Sequence, residues 1–356
     1  MELIKPGINI NFVGMRFKAF LFSSILILLG LAVLLWRGGL NLGVDFAGGT
    51  LIQVQFKQST NPDEIRKALK DLISRSTIQE IGSGENEFLI RTEAITTGLQ
   101  SFADEIQKSL TDVYGKGSVT VRRVEMVGPK VGHDLRQKAL FAIYYALLFI
   151  AIYISGRFEF KWASSAIMAG CLIAGVYLLQ AAGISVTYLI IGALIITLVL
   201  CWKLKLPYAL GAVLSLIHDV LITVGIFALA NKEFTLEVLA ALLTLVGFSL
   251  NDTIIVYDRI RENLRKSRKQ ELSVVVNNSI NQTLSRTILT SGTVLFVVLC
   301  LFIWGGSVIH DFAFAFLIGI ITGTYSSIYV ASPILLLYED WTKGKVSKTK
   351  AVPKEA

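Results

Sequence analysis

Eight strongly apolar runs divide this sequence, and each is close to the length a lipid bilayer demands. They occupy residues 19–36, 139–154, 163–179, 186–202, 208–230, 236–256, 288–304 and 312–337. A helix needs about 20 apolar residues to cross a hydrocarbon core of roughly 30 Å, so each run predicts a membrane helix. Charged residues make up only 17% of the chain, below the quarter or so typical of soluble domains. An ordinary soluble fold is excluded. The first run lacks a small-residue cleavage site after it and reads as a retained anchor rather than a secretory leader.

Basic residues fix the expected orientation. Lys5, Arg16 and Lys18, Arg157 and Lys161, Lys203 and Lys205, the stretch 259–269 (RIRENLRKSRK) and the tail 343–354 all fall on one side if eight helices alternate. The positive-inside rule assigns that side, with both termini, to the cytoplasm. This asymmetry accounts for the net charge of +8 without nucleic acid. Cys171, Cys201 and Cys300 are odd in number and all lie in apolar runs, which argues against a disulfide framework and against a zinc site. No cofactor motif appears, and no nucleophile–base arrangement that would make the chain an enzyme.

The expected organisation is a first helix with its N-terminus (1–36), a large segment on the far side (37–136), a helical region (137–341) and a basic tail (342–356). Within the large segment, 45–56 alternates as a strand, and 62–74 opens as a helix with Asn61 as N-cap and Pro62 in the first turn. Residues 77–81 and 87–91 read as strands around Gly82-Ser83-Gly84, 98–114 as an amphipathic helix and 118–127 as a strand. The order β-α-β-β-α-β predicts a ferredoxin-like α+β domain. The fold class is therefore an α-helical polytopic membrane protein of about eight spans with an α+β ferredoxin-like domain outside the membrane.

Four groups of residues stand out. Asp252 lies in 236–256, whose fully apolar part, 238–250, would give only about 20 Å of helix; the span closes only by running on through Asn251-Asp252-Thr253. An acid there is costly and marks a functional site, here a carboxyl that loads and releases a proton beside a cation. The alternative is an acid that reaches water or caps a neighbouring helix. Arg286, which ends the polar stretch 277–286, is the cation; its alternative is an interfacial anchor. His218-Asp219 sits at mid-span and reads as a proton relay or as a rigid packed pair. Gly319 and Gly323, with Gly247, read as positions of close helix packing. His310-Asp311 reads as a helix cap, and Gly38-Gly39 and Gly48-Gly49 as turns or close approaches.

Six segments in order resemble the SecF family of bacterial protein-export subunits, within the resistance-nodulation-division superfamily. They are 43–50 (GVDFAGGT), 127–135 (VGPKVGHDL), 215–223 (SLIHDVLIT), 246–263 (VGFSLNDTIIVYDRIREN), 278–291 (NSINQTLSRTILTS) and 319–333 (GIITGTYSSIYVASP). The resemblance implies that Asp45, Gly48 and Gly49 enter the periplasmic domain and that Gly128, Pro129 and Gly132 leave it. It also implies that Asp252 is the intramembrane aspartate of proton coupling and Arg286 its arginine; Asn251, His218 and Asp219 are further candidates for the proton path from the residues themselves. Implied partners are SecD, the SecYEG channel, SecA indirectly and the translocating preprotein, in the lipid bilayer of the inner membrane. SecF proteins usually carry six helices, so 162–206 reads as an inserted helical hairpin. Two other readings remain: a proton-driven exporter of lipids or small hydrophobic molecules from the same superfamily, and a membrane scaffold without proton traffic.

Overall fold

The computed structural model describes residues 8–73, 76–81, 86–93, 98–160, 162–181, 183–267 and 270–350. Helix α1 (Arg16–Trp36) leads to a one-turn helix α2 (Val44–Ala47) and then to a small domain: β1 (Gly49–Phe56), α3 (Pro62–Ala68), β2 (Ser76–Ile81), β3 (Glu87–Thr92), α4 (Leu99–Tyr114) and β4 (Val119–Val127). The remaining helices are α5 (Pro129–Glu159), α6 (Trp162–Ala181), α7 (Val186–Lys203), α8 (Pro207–Leu229), α9 (Leu236–Lys266), α10 (Leu272–Trp304), α11 (Gly306–Ser326) and α12 (Ser332–Lys350).

The four strands form one antiparallel sheet in the order β2-β3-β1-β4. Alternation along β1 and β3 sends Ile52, Val54, Phe88 and Ile90 to one face, where they are buried against Ile65 of α3 and Ile106 and Leu110 of α4. Each such side chain contributes about 1.5–3 kcal/mol by leaving water. Asn61 caps α3 by accepting from the Glu64 amide at 2.9 Å. Strand β1 begins at Gly49 rather than at Asp45, because 44–47 coils into a helical turn that Gly48 and Gly49, at φ +74° and +126°, convert into the strand. Helix α3 ends at Ala68, short of the expected Ser74. The turn 82–84 lies outside the described residues.

Six helical segments among the described residues are long and apolar enough to cross a membrane. The runs at 163–179 and 186–202 form the hairpin α6–α7, whose apolar stretches Ala166–Leu178 and Tyr188–Lys203 are shorter. The hairpin packs outside the others: Met168, Leu172, Leu189 and Ala193 bury against a core that includes Tyr144, Leu148 and Ala151 of α5. At its end Trp202 meets Trp341 of α12, ring centroids 4.7 Å apart.

Three helices run beyond their apolar cores. Helix α9 continues to Lys266, α10 begins at Leu272, and α11 begins at Gly306, so the polar stretch 277–286 is helical. His310 and Asp311 lie inside α11 and do not cap it. Asp311 instead accepts from Lys232 Nζ at 2.5 Å, tying α11 to the loop after α8. Between α11 and α12 the helix widens into a π turn over Ser327–Ala331, where the Ser332 hydroxyl reaches back to the Ser327 carbonyl at 2.8 Å.

Candidate functional site

The helices α1, α8, α9, α10 and α11 meet around two buried acids. Asp219 of α8 is fully buried and held at both oxygens. Oδ1 lies 2.9 Å from His218 Nδ1. Oδ2 accepts from the Ser249 hydroxyl of α9 at 2.6 Å and from Ser326 of α11 at 2.8 Å. On the far side of the ring, His218 Nε2 lies 2.9 Å from the Ser23 hydroxyl of α1. Ser23 donates to Tyr325 at 3.2 Å, and Tyr325 donates to the Ala19 carbonyl at 2.8 Å. The Tyr325 ring also stacks on His218, centroids 6.0 Å apart.

Asp252 stands three residues beyond Ser249 on α9, about 4.5 Å further along the axis. Its side chain is buried, and Oδ2 accepts from Ser291 of α10 at 2.8 Å. The Thr324 side chain of α11 approaches the same carboxyl, yet Asp252 Oδ1 and the Thr324 hydroxyl each lack a regular hydrogen-bond partner among the described residues. Arg286 lies five residues before Ser291 on α10. It is exposed, and no ion pair joins it to Asp252 among the described residues. With Asn251, Arg157, Asp258, Glu262 and Gln282 it lines a cavity of about 440 Å³ at the end of the bundle where the N-terminus lies. Asn251 thus faces the cavity while its neighbour Asp252 faces the interior.

Glycines draw these helices together. A Cβ on Gly323 would meet Ser249 at 2.9 Å, and one on Gly319 would meet Leu245 at 2.6 Å. Gly247 differs: it lies on the exposed face of α9, and a Cβ there would meet nothing within 4 Å. It packs against no other helix of this chain among the described residues.

At the opposite end, the two segments flanking the sheet domain touch. A Cβ on Gly48 would meet the Pro129 Cα at 2.9 Å, and one on Gly132 would meet the Gly48 nitrogen at 2.9 Å. A Cβ on Gly128 would meet nothing within 4 Å, so that glycine serves the extended turn into α5, at φ −64° and ψ 146°. Asp45 accepts from the Leu236 amide at 3.0 Å and so caps the start of α9, the helix that carries Asp252. Phe234 donates to the Asn41 carbonyl at 2.7 Å and accepts from the Gly43 amide at 2.9 Å. Arg91 of β3 pairs with the buried Glu233 and donates to the Leu42 carbonyl at 2.9 Å. Burial raises the Asp45 carboxyl above its ordinary range, opposed by its bond from the Leu236 amide. Burial likewise raises Glu233, opposed by Arg91.

Comparison with known proteins meets this arrangement. A profile described as "Protein export membrane protein SecD/SecF, C-terminal" matches residues 105–195 and 178–341, and one described as "SecD/SecF GG Motif" matches 33–60. A protein translocase subunit SecF from Magnetococcus marinus is 40% identical over 355 residues, covering 99% of each chain. One from Vibrio alginolyticus is 40% identical over 337 residues, covering 94% of this chain and 91% of the other. The chain belongs to the SecF family. Among solved structures, SecDF of Thermus, titled a translocon-associated membrane protein, matches with TM-score 0.70 and 29% identity. A super-membrane-facing form of SecDF matches with TM-score 0.60 and 28% identity. This SecF chain spans 40% and 41% of those SecDF chains, while they cover 96% and 98% of it.

Several residues of this SecF chain that hold the acids carried no signal on their own in the sequence. Ser23 sits in an apolar run, and Ser249 and Ser291 are small hydroxyls among other hydroxyl residues of their membrane helices. Tyr325 adjoins a stretch whose small residues read as packing. The one available cue was helical spacing, since Ser249 precedes Asp252 by one turn.

Proposed function

We propose that this chain is the SecF subunit of an inner-membrane export complex. With SecD it uses the proton motive force to help draw preproteins through SecYEG after SecA has acted. The length of SecDF that this chain does not cover is the part a separate SecD would supply. In this reading both termini are cytoplasmic and the sheet domain is periplasmic and ferredoxin-like, as its strand order and element order support. The hairpin 162–206 adds two spans to the usual six. The family reading makes the chain a transport subunit and not an enzyme.

Asp252 is the coupled group in this reading. The observation that carries it is that Asp252 Oδ1 and the nearby Thr324 hydroxyl lack a regular hydrogen-bond partner among the described residues, while Oδ2 is already held by Ser291. A proton arriving at Oδ1 gains an acceptor in Thr324, so both protonation states can be hydrogen-bonded without moving a helix. Asn251 and Arg286 line the polar cavity through which a proton reaches or leaves that carboxyl. Arg286 acts as a mobile cation near the site and not as a fixed partner. His218-Asp219 forms a second proton-holding group one helix away.

Replacing Asp252 by Asn keeps the shape and removes the titratable proton. The variant should assemble with SecD and abolish gradient-dependent stimulation of export in inverted membrane vesicles. Full gradient-dependent stimulation from that variant would overturn the coupling role.

A further inference from the structure

Hydrogens can be placed in the Asp219–His218–Ser23–Tyr325 chain by counting donors, starting from its far end. The Ala19 carbonyl only accepts, so the single Tyr325 hydrogen goes to it at 2.8 Å. Tyr325 then has only lone pairs for Ser23, whose single hydrogen fills the 3.2 Å contact. Ser23 in turn has only lone pairs for His218, so Nε2 of the ring must carry a hydrogen to make the 2.9 Å contact. A neutral imidazole with its hydrogen on Nε2 has a bare lone pair on Nδ1. That lone pair faces Asp219 Oδ1 at 2.9 Å, and an ionised carboxylate there would set two acceptors against each other. Asp219 Oδ2 accepts from Ser249 at 2.6 Å and lies 2.8 Å from Ser326, whose hydroxyl has the Gly323 carbonyl as a longer alternative at 3.2 Å, so the carboxyl is held with Oδ1 facing the ring.

We infer that His218 and Asp219 hold one further proton between Nδ1 and Oδ1, and that Ser23 and Tyr325 are the residues that keep it there. Loaded, the pair is neutral overall; on release the proton leaves the Nδ1–Oδ1 bridge and the pair carries one negative charge. The unloaded pair with hydrogen on Nδ1 alone would need a hydrogen donated to Nε2, and Ser23 has already given its hydrogen to Tyr325. Tyr325 is the titratable side chain in contact with the pair from α11; Ser23 of α1 and Ser249 of α9 are uncharged. The next acid is Asp252, a turn beyond Ser249. The inference deepens the proton-coupling reading and rests on it only for its meaning in export, since the protonation state follows from the contacts alone.

The test uses the full-length chain in lipid vesicles, labelled with nitrogen-15 in its histidines and followed by solid-state NMR across pH. The chain has three histidines, and the His218 signals are those lost in His218→Gln. The wild type should show hydrogen on Nε2 and a second, shared hydrogen at Nδ1 at neutral pH. Tyr325→Phe frees the Ser23 hydrogen to turn toward Nε2. It should move the ring toward the Nδ1–H form, shifting the balance between the two ring forms about tenfold, the worth of one hydrogen bond. Asp219→Asn should leave Nε2 protonated and abolish the shared signal. A wild-type ring bare at Nε2 near pH 7 would overturn the inference. So would a Tyr325→Phe protein, folded by its thermal transition, whose ring-nitrogen signals are unmoved. Neither SecD nor a gradient is needed, so this result and that of Asp252→Asn in export fail independently.

Discussion

Gly30 on α1 and Gly225 on α8 lie backbone against backbone, so that a Cβ on Gly30 would meet the Gly225 Cα at 2.7 Å. Seven residues earlier on each helix, Ser23 faces His218. The two helices are therefore parallel and in register over two turns, and the glycine contact sets the distance at which the Ser23 hydroxyl reaches the ring.

Gly30→Ala should force the helices apart and lower stability by about 1–3 kcal/mol, the usual cost of overpacking. The thermal transition of the purified protein in detergent should fall accordingly. Gly247→Ala is the contrast: with open space around that position, its transition should stay level or rise, because alanine favours helix over glycine. Equal losses from both substitutions would remove the register argument.

Burial raises the folded-state carboxyl of Asp45, and this gives a pH dependence of definite sign. Below its ordinary value of 3.8 the group is protonated in folded and unfolded chains alike, and it costs nothing. As pH rises through that value toward the higher folded one, the unfolded chain ionises first and stability is lost. Asp45→Asn removes this loss. The stability gap in favour of the asparagine variant should open as pH climbs out of the acid range, and should be absent at the lowest pH.

Arg91→Ala strands Glu233 in a largely buried setting; the two side chains are 17% and 9% exposed. Breaking such a pair costs about 3 kcal/mol. Amide exchange at Phe234 and Gly43, which bond the docked loop, should speed roughly a hundredfold, by the same conversion of energy to rate. Adding Glu233→Gln should recover most of the protection, which simple loss of the arginine stem would not allow.

Two asparagines of α10 clamp the N-terminal segment. Asn281 accepts from the Ile10 amide at 2.8 Å and donates to the Ile10 carbonyl at 2.9 Å, while Asn277 accepts from the Val13 amide at 3.2 Å. Asn281→Ala should raise exchange at Ile10 about tenfold, the loss expected for an amide hydrogen bond. Protection at Val13, which Asn277 holds, should change less.

Six spans were legible because bilayer thickness imposes a length on an apolar run, while the runs at 163–179 and 186–202 form helices with shorter apolar stretches; the sheet was legible because strand and helix periods differ. Asp252 and Asp219 stood out because an acid in an apolar run has no cheap explanation. What surrounds them did not. Serine and tyrosine fit a membrane helix without comment, and only packing shows that Ser23, Ser249 and Tyr325 converge from three helices on one pair. The apolar runs at 288–304 and 312–337 understated the starts of their helices, because Asn277 and Asn281 instead bind the N-terminal segment and Asp311 binds Lys232.

The close approach of Gly48 to Pro129 and Gly132 places the two chain crossings of the sheet domain side by side. A domain inserted through adjacent ends can be cut out and the gap closed by a short flexible bridge without stretching α1 or α5. Asp45 lies before the cut and would keep its cap on α9; the bundle would lose the Arg91 contacts to Glu233 and to the Leu42 carbonyl. The domain is thus a detachable cassette whose Arg91 still pins the loop leading into the helix bearing Asp252.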